Sequence, residues 1–181
     1  MAGLPQGCVV LITGVMAAGK STVAQALAER LPRAAHVRGD VFRRMIVSGR
    51  ADMLPEAGEE ALAQLRLRYR LSAATADAYA DENFTAVVQD VVLGAELAAY
   101  TALVRTRPLH VVVLAPHARV VAAREEGRAK TGYGGGWTPE LLDRGLREET
   151  PRIGLWLDTS ELTVEGTVDA ILAGLDRALV P

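Results

Sequence analysis

The chain has 181 residues, half of them apolar, and a formal net charge of -2 at pH 7. Such a length and composition predict one globular domain over residues 1–181, and the near balance of charges argues against nucleic acid as a partner, because a polyanion needs a basic surface. A single cysteine, Cys8, excludes an internal disulfide, and the N-terminus has neither a signal peptide nor an apolar run long enough for a membrane, so we expect a cytoplasmic protein.

The first predicted strand is the most apolar segment near the N-terminus. Residues 8–14 are continuous, rich in β-branched side chains and bounded by glycines, as in a strand buried on both faces. The helix after it has helical spacing through Val23, Leu27 and Leu31 and ends before Pro32.

Strands and helices then alternate to the end of the chain. The further predicted strands cover residues 34–40, 84–92, 108–116 and 153–160. The further predicted helices cover residues 41–47, 59–81, 95–107, 118–130, 138–149 and 163–179. This alternation predicts an α/β protein with a five-stranded parallel sheet and helices on both faces, giving three layers. In such folds ligands bind beyond the carboxyl ends of the strands, so polar residues just after the apolar runs are the candidates for a site.

The turn after the first strand carries the strongest motif. Gly14, Gly19, Lys20 and Ser21 complete the pattern G-x-x-x-x-G-K-S/T between a strand and a helix. Glycines let backbone N–H groups point at an anion, and the helix N-terminus adds positive charge. We therefore predict a site for ATP with Mg²⁺, in which Lys20 reaches the β- and γ-phosphates and Ser21 binds the metal. The other predicted ATP-binding residues of the loop are Val15, Met16, Ala17, Ala18 and Thr22.

With this loop, the chain resembles the small P-loop kinase group that includes chloramphenicol phosphotransferase, zeta-toxin-type sugar-nucleotide kinases and gluconate kinase. The resemblance rests on "GVMAAGKST", on "RGDVFRRM" after the second predicted strand, and on the arginines of "AREEGRAKTGY" after the fourth. It implies a P-loop NTPase fold with a small lid. It also implies ATP-dependent phosphoryl transfer to a hydroxyl of a small molecule, with an aspartate after the second strand contacting that hydroxyl and lid arginines around the phosphates.

Asp40 is the candidate for that aspartate. It follows the second predicted strand, and Arg43 and Arg44 lie three and four residues later, on the same face of a helix. We expect Asp40 to accept or orient the proton of the acceptor hydroxyl and Arg43 to hold the acceptor or a phosphate. The structural alternative is that Asp40 only caps the helix and that both arginines are solvated.

Asp90 is a second candidate on the acceptor side. It lies inside the predicted strand 84–92, where a buried charge needs a partner. That partner is either the magnesium shell, reached through water, or a substrate hydroxyl. Because valines continue after Asp90, the segment departs from the usual pattern of an aspartate at the strand end.

The segment at about residues 124–150 is the predicted lid. Arg124 and Arg128 lie four residues apart on one helix face, and glycines follow them. A closing lid would exclude water and supply positive charge during transfer, so we expect Arg128 to be catalytic and Arg124 to bind ATP. The alternative is an ordinary solvated helix, since Glu125 and Glu126 separate the two arginines.

These residues favour an ATP-dependent phosphotransferase acting on a small molecule such as an antibiotic, a sugar acid or a sugar nucleotide. A nucleotide-binding regulatory ATPase that acts through a protein partner is the second hypothesis. The sequence does not indicate the acceptor or the oligomeric state.

Overall fold

A computed structural model describes residues 4–127 and 135–181. Within these residues, six strands form one sheet with the order β2-β3-β1-β4-β5 and β6 beside β4. The strands are β1 (Val9–Gly14), β2 (Ala34–Arg38), β3 (Thr85–Gln89), β4 (Leu109–Leu114), β5 (Leu155–Leu157) and β6 (Leu179–Val180). All pairings among β1 to β5 are parallel, which confirms the predicted parallel sheet.

Helices cover the sheet on both faces. They are α1 (Lys20–Arg30), α2 (Gly39–Arg44), α3 (Glu59–Asp81), α4 (Ala95–Leu103), α5 (Ala118–Glu126), α6 (Pro139–Arg144), α7 (Val164–Ala173) and α8 (Leu175–Ala178), and a π-helical turn (Gly145–Glu149) continues α6. Helix α1 packs with α7 and helix α3 with α4, while α1 and α3 both contact β3. The predicted three-layer α/β architecture is thereby confirmed.

The core lies between these layers and centres on β1 and β4. All six residues of each of these strands are buried, because each strand has sheet neighbours at both edges and helices on both faces. Their continuous apolar sequence is the pattern that such a position requires. Among the described residues, none of the helices is both long and apolar enough to cross a bilayer.

The last strand is a departure from the predicted elements. The predicted helix 163–179 is divided into α7 and α8, and the chain then forms β6, which pairs antiparallel with β4. Strand β5 pairs with Val112–Leu114 and leaves the start of β4 without a partner on that edge, where β6 pairs with Leu109 and His110. A two-residue strand is too short for a periodic signal, so the sequence pattern did not indicate it.

Two boundaries that matter for the site also differ from the prediction. Strand β2 ends at Arg38, so Asp40 lies in the first turn of α2. Strand β3 ends at Gln89, so Asp90 lies directly after the strand and not inside it. After Asp90, the N–H and C=O groups of Val92 both bond to the hydroxyl of Thr13, and side-chain bonds therefore replace the ladder.

Candidate active site

A cleft of about 1230 Å³ opens at the carboxyl ends of the parallel strands. The loop between β1 and α1 lines one side, and residues from α2, α3 and the 135–149 segment line the other. Several sequence-predicted site residues line it, and those with polar side chains are Lys20, Ser21, Thr22, Asp40, Arg43, Asp90 and Arg124. The fold therefore brings residues that are far apart in the sequence to one cavity, at the position expected for a parallel α/β sheet.

The loop between β1 and α1 is held by hydrogen bonds to its own backbone. The Ala18 N–H donates to the Val15 carbonyl at 3.2 Å, and the Lys20 ammonium donates to the same carbonyl at 2.7 Å. Gly14 has φ 144°, and a Cβ there would overlap the Leu114 carbonyl of the neighbouring strand, so only glycine fits. Helix α1 begins at Lys20, and its first N–H groups are available to an anion in the cleft.

The predicted ATP-binding residues of this loop fall into two sets. Met16, Ala17 and Thr22 line the main cleft together with Gly19, Lys20 and Ser21. Gly14, Val15 and Ala18 are buried, and they shape the loop from below.

Ser21 links the loop to the end of β3. Its hydroxyl donates to the Gln89 side-chain carbonyl at 3.2 Å. Gln89 is the last residue of β3 and is 5 % exposed, whereas Ser21 is exposed to the cleft. Hydroxyl and amide oxygens suit Mg²⁺, so this pair fits a magnesium ion that arrives with a nucleotide. Among the residues that the structure describes, no group of three or more His, Cys, Asp or Glu could hold a metal by itself.

Asp40 stands on α2 within the cleft. Its Oδ2 accepts a hydrogen bond from Arg44 at 2.8 Å, whereas its Oδ1 is buried and has no hydrogen-bond partner among the described residues. Arg43 turns away from Asp40 and donates to Asp52 at 2.9 Å and to the Ala51 carbonyl at 3.0 Å. Of the two arginines predicted to share a face with Asp40, only Arg44 bonds to it.

Asp90 is bound by Arg68, a residue that the sequence did not single out. Arg68 Nε donates to Oδ2 at 2.8 Å, and Arg68 Nη2 donates to Oδ1. The Val91 N–H also donates to Oδ1, at 2.7 Å. The Asp90 side chain is 0 % exposed and that of Arg68 is 16 % exposed. Burial lowers the pKa of Arg68, but a guanidinium stays protonated at neutral pH.

The helical spacing of residues in α3 is the sequence feature that could have indicated Arg68. Leu65, Arg68 and Ser72 recur at three- and four-residue spacing on α3, and this face of the helix is directed at the cleft and the core. An arginine on such a face requires a buried partner, because an unpaired buried charge is costly. The sequence shows the arginine but not which carboxylate will meet it.

Arg124 connects the predicted lid to the loop. Its guanidinium donates to the Ala18 carbonyl at 3.4 Å and to the Thr159 carbonyl, after β5, at 3.2 Å. Arg128, the predicted catalytic arginine, lies outside the described residues. In the second half of the predicted lid segment, the Trp137 indole donates to the Met53 carbonyl at 2.7 Å, and this bond joins that half to the segment after α2.

A second cavity of about 250 Å³ lies on the other side of the loop. It is lined by Gly19, Thr22 and Arg124 and by residues that follow β5, among them Thr159. The Thr159 hydroxyl is buried and has no hydrogen-bond partner among the described residues. Its position beside the loop gives a place for the part of a nucleotide that lies away from the phosphates.

The half of the main cleft that lies opposite the loop has an apolar wall. The side chains that form it come from the segment after α2, from α3 and from the 135–149 segment, and they include Met53, Leu54, Leu62, Leu65, Trp137 and Leu141. Its charged groups among the described residues include three arginines, each bonded to an aspartate: Arg43 to Asp52, Arg44 to Asp40 and Arg68 to Asp90.

Comparisons with known proteins agree with this fold. Residues 9–142 match the family described as AAA domain. A sugar kinase from Janibacter sp. HTCC2649 is 21% identical and has a TM-score of 0.70, with 96% of each chain covered. The tunicamycin resistance protein of Deinococcus radiodurans is 19% identical, with a TM-score of 0.67 over 96% of this chain and 98% of that one. A gluconokinase from Sinorhizobium meliloti 1021 is 20% identical, with a TM-score of 0.65 over 96% of this chain and 94% of that one.

No curated protein matches this sequence significantly. The structural likenesses, at about one residue in five identical, concern the fold. Together with the family match they confirm the expected P-loop kinase-like fold.

Proposed function

This chain belongs to the AAA domain family, and we propose that it is an ATP-dependent phosphotransferase that transfers the γ-phosphate to a hydroxyl of a small molecule. The observation that carries the proposal is the position of Asp40. One cleft holds the phosphate-binding loop with Lys20 on one side and, on the other, the Asp40 carboxylate, whose side chain is 47% exposed. A carboxylate that faces a phosphate-binding loop across a cleft is suited to orient an acceptor hydroxyl and to receive its proton.

The proposed role of each residue follows from the contacts that its side chain makes. The loop amides and Lys20 would hold the phosphates, and Arg124 would hold the nucleotide between the loop and the segment after β5. Arg44 bonds to Oδ2 of Asp40 and orients the carboxylate, which would accept a hydrogen bond from the acceptor hydroxyl. Mg²⁺, when bound, would neutralise charge on the phosphate oxygens; Ser21 and Gln89 are the side chains that fit it.

The proposed reaction balances as a simple displacement. The acceptor oxygen forms a bond to the γ-phosphorus, the bond from that phosphorus to the β-γ bridging oxygen breaks, and ADP leaves. The acceptor proton passes to the Asp40 carboxylate. Because phosphoryl transfer has a loose transition state, the positions of the two oxygens and the surrounding positive charge contribute more than proton removal. Arg128 remains the proposed catalytic cation of the lid.

The apolar wall supports a narrower class of acceptor. Met53, Leu62 and Trp137 give a bulky apolar group a surface to bury. We therefore favour an alcohol with an apolar body, such as an antibiotic, over a small sugar acid. Structural neighbours include both a tunicamycin resistance protein and a gluconokinase, so the fold is compatible with either class.

The test is a search for a phosphorylated product. Purified protein is incubated with Mg-ATP and a mixture of hydroxyl compounds that contains tunicamycin, chloramphenicol and D-gluconate, and products are identified by mass spectrometry. We expect a phosphate adduct that is lost with Lys20→Ala and strongly reduced with Asp40→Ala. Asp169→Ala is the control, because the Asp169 side chain is 66% exposed and lies on α7, away from the cleft.

Two results would contradict the proposal. Undiminished transfer by Asp40→Ala would remove Asp40 from the mechanism. ATP binding without transfer to any acceptor, together with a protein that binds only one nucleotide state, would favour the regulatory ATPase.

A further inference from the structure

We propose that Gln89, and not Asp90, is the residue at the end of β3 that supports magnesium binding, because it orients the Ser21 hydroxyl. Asp90 instead holds Arg68 in the cleft. The inference rests on the nucleotide binding of the proposed function. It departs from the usual arrangement in P-loop proteins, in which a carboxylate after a neighbouring strand reaches the metal shell. Three observations carry it: the bond between Ser21 and Gln89, the three hydrogen bonds to the buried Asp90 carboxylate, and the packing of Asp90 against Gly39.

Gln89 is in contact with the metal-binding side of the loop. Its side-chain carbonyl accepts the Ser21 hydroxyl hydrogen at 3.2 Å, and the side chain is buried at the end of a strand that pairs with β1 in register. A hydroxyl whose hydrogen is committed to one acceptor has its oxygen lone pairs directed elsewhere, and here Ser21 is exposed to the cleft. Gln89 is thus a positioning residue that orients the Ser21 oxygen for a cation.

Three hydrogen bonds and complete burial of the side chain hold Asp90 away from the metal. Its Oδ2 accepts from Arg68 Nε, and its Oδ1 accepts from both Arg68 Nη2 and the Val91 N–H. The side chain is completely buried. Release of this carboxylate toward a cation would leave the Arg68 guanidinium buried without its partner, which is a large cost.

The packing of α2 fixes Asp90 in this orientation. Gly39, the first residue of α2, lies so close that a Cβ on it would overlap Oδ2 and Cγ of Asp90. The carboxylate is therefore enclosed by α2 on one side and by Arg68 of α3 on the other. Asp90 anchors the acceptor half of the cleft, whereas Gln89, one residue earlier, faces the loop.

The coordination chemistry of Mg²⁺ allows the neutral amide of Gln89 to stand beside the metal site in place of a carboxylate. The ion keeps several waters and takes much of its ligation from nucleotide phosphates, so the protein needs to supply only one or two oxygens. With an amide in place of a carboxylate, the negative charge around the ion comes chiefly from the phosphates. We expect the metal requirement to depend on the hydrogen-bond acceptor at position 89 and not on the charge at position 90.

A magnesium titration of nucleotide binding tests this without any acceptor substrate. Binding of the non-hydrolysable analogue AMPPNP is measured by calorimetry over a series of free Mg²⁺ concentrations, with EDTA as the metal-free baseline. We expect Gln89→Leu, which removes the acceptor at similar size, to raise the half-saturating Mg²⁺ concentration about tenfold or more, as for loss of other residues that orient a metal ligand. Gln89→Glu restores an acceptor and should lie within about threefold of the unmodified protein.

Asp90→Asn is the decisive comparison, and it should leave the half-saturating Mg²⁺ concentration within about threefold of the unmodified protein. The inference is overturned if Asp90→Asn raises the half-saturating Mg²⁺ concentration about as much as Gln89→Leu does. It is also overturned if Gln89→Leu leaves that concentration unchanged. Thermal melting without nucleotide checks folding. Where Asp90→Asn does not fold, the charge-neutral double variant Arg68→Met/Asp90→Leu replaces it, and the same limits apply.

The two proposals fail in different ways. If the unmodified protein binds no AMPPNP with Mg²⁺, the proposed function and this inference both fall. If it binds AMPPNP but the Asp90 and Gln89 variants show the reverse pattern, only the inference falls, and the phosphotransferase proposal stands.

Discussion

The Arg68 guanidinium holds the Asp90 carboxylate through two nitrogen atoms, and this ion pair joins the middle of α3 to the residue that follows β3. The two residues are 22 positions apart in the sequence. The pair is buried, and the Val91 N–H completes the bonds to the carboxylate. Both residues line the main cleft.

A double-mutant cycle measures this ion pair. We expect Arg68→Met and Asp90→Leu each to lower the free energy of unfolding by about 3–5 kcal/mol, because each leaves a charge in the protein without its partner. The double variant Arg68→Met/Asp90→Leu should lose much less than the sum, because it leaves no charge behind. Urea denaturation followed by circular dichroism gives the values.

The matched control is the exposed pair Arg30–Asp169, whose side chains are 47% and 66% exposed. Its removal should cost at most about 1 kcal/mol, because water screens the interaction. Equal losses in the free energy of unfolding at the Arg68–Asp90 and Arg30–Asp169 pairs would show that burial does not determine what an ion pair contributes to stability.

Gly39→Ala tests the enclosure of Asp90. A Cβ at this position overlaps the Asp90 carboxylate, so we expect a loss of about 1–3 kcal/mol in the free energy of unfolding. Gly145→Ala is the control, since a Cβ there would have open space within 4 Å and the φ of -56° is helical. That change should stabilise the protein by about 0.4–1 kcal/mol. Both changes are measured by urea denaturation. Similar changes in the free energy of unfolding for Gly39→Ala and Gly145→Ala would contradict the close approach of α2 to Asp90.

Lys20→Ala should weaken nucleotide binding. The variant removes a buried cation from the loop, and the loss of a charged hydrogen bond of about 1.5–3 kcal/mol corresponds to roughly a 10- to 150-fold higher Kd for AMPPNP with Mg²⁺. Arg30→Ala removes a cation from the other end of the same helix and should leave the Kd unchanged. Calorimetry on both variants checks this, and an equal loss in Arg30→Ala would show that general charge, and not the loop, attracts the nucleotide.

Arg124→Ala tests the contact between α5 and the loop. Arg124 bonds to the Ala18 and Thr159 carbonyls and lines both cavities, so its removal should raise the Kd for AMPPNP by about tenfold. Arg119→Ala on the same helix is exposed and should have no effect. If the two variants bind AMPPNP equally well, Arg124 has no part in nucleotide binding.

Cys8 should be unreactive in the folded protein. Burial raises the pKa of the thiol, and the side chain is 0% exposed at the start of the sheet. The reactive thiolate is therefore scarce and inaccessible at about pH 8. The reagent DTNB should modify about one thiol per chain in guanidinium chloride and almost none without it. Rapid modification of the native protein would contradict this burial.

Local sequence patterns were sufficient for most of the elements. The predicted helix 59–81 coincides with α3, and the predicted strands 8–14 and 108–116 contain β1 and β4, because long periodic or continuous apolar segments carry their own signal. The ends of elements were less accurate. Strand β3 stops at Gln89 because Thr13, from another strand, takes over the hydrogen bonds of Val92, and a pattern within one segment does not contain that information.

The sequence by itself determined the phosphate-binding loop, since a run of neighbouring residues from Gly14 to Ser21 carries the whole motif and its backbone forms the site. It also placed Asp40 after a strand at the correct end of the sheet, with Arg43 and Arg44 on the same helix face. It placed Asp90 inside its strand, and only the tertiary structure decided that Asp90 follows β3, that Arg68 is its partner and that Gln89 is the partner of Ser21. The physical reason is that a buried charge or hydroxyl is satisfied by whichever group packing brings within about 3 Å, and that distance depends on how helices cross the sheet and not on separation along the chain.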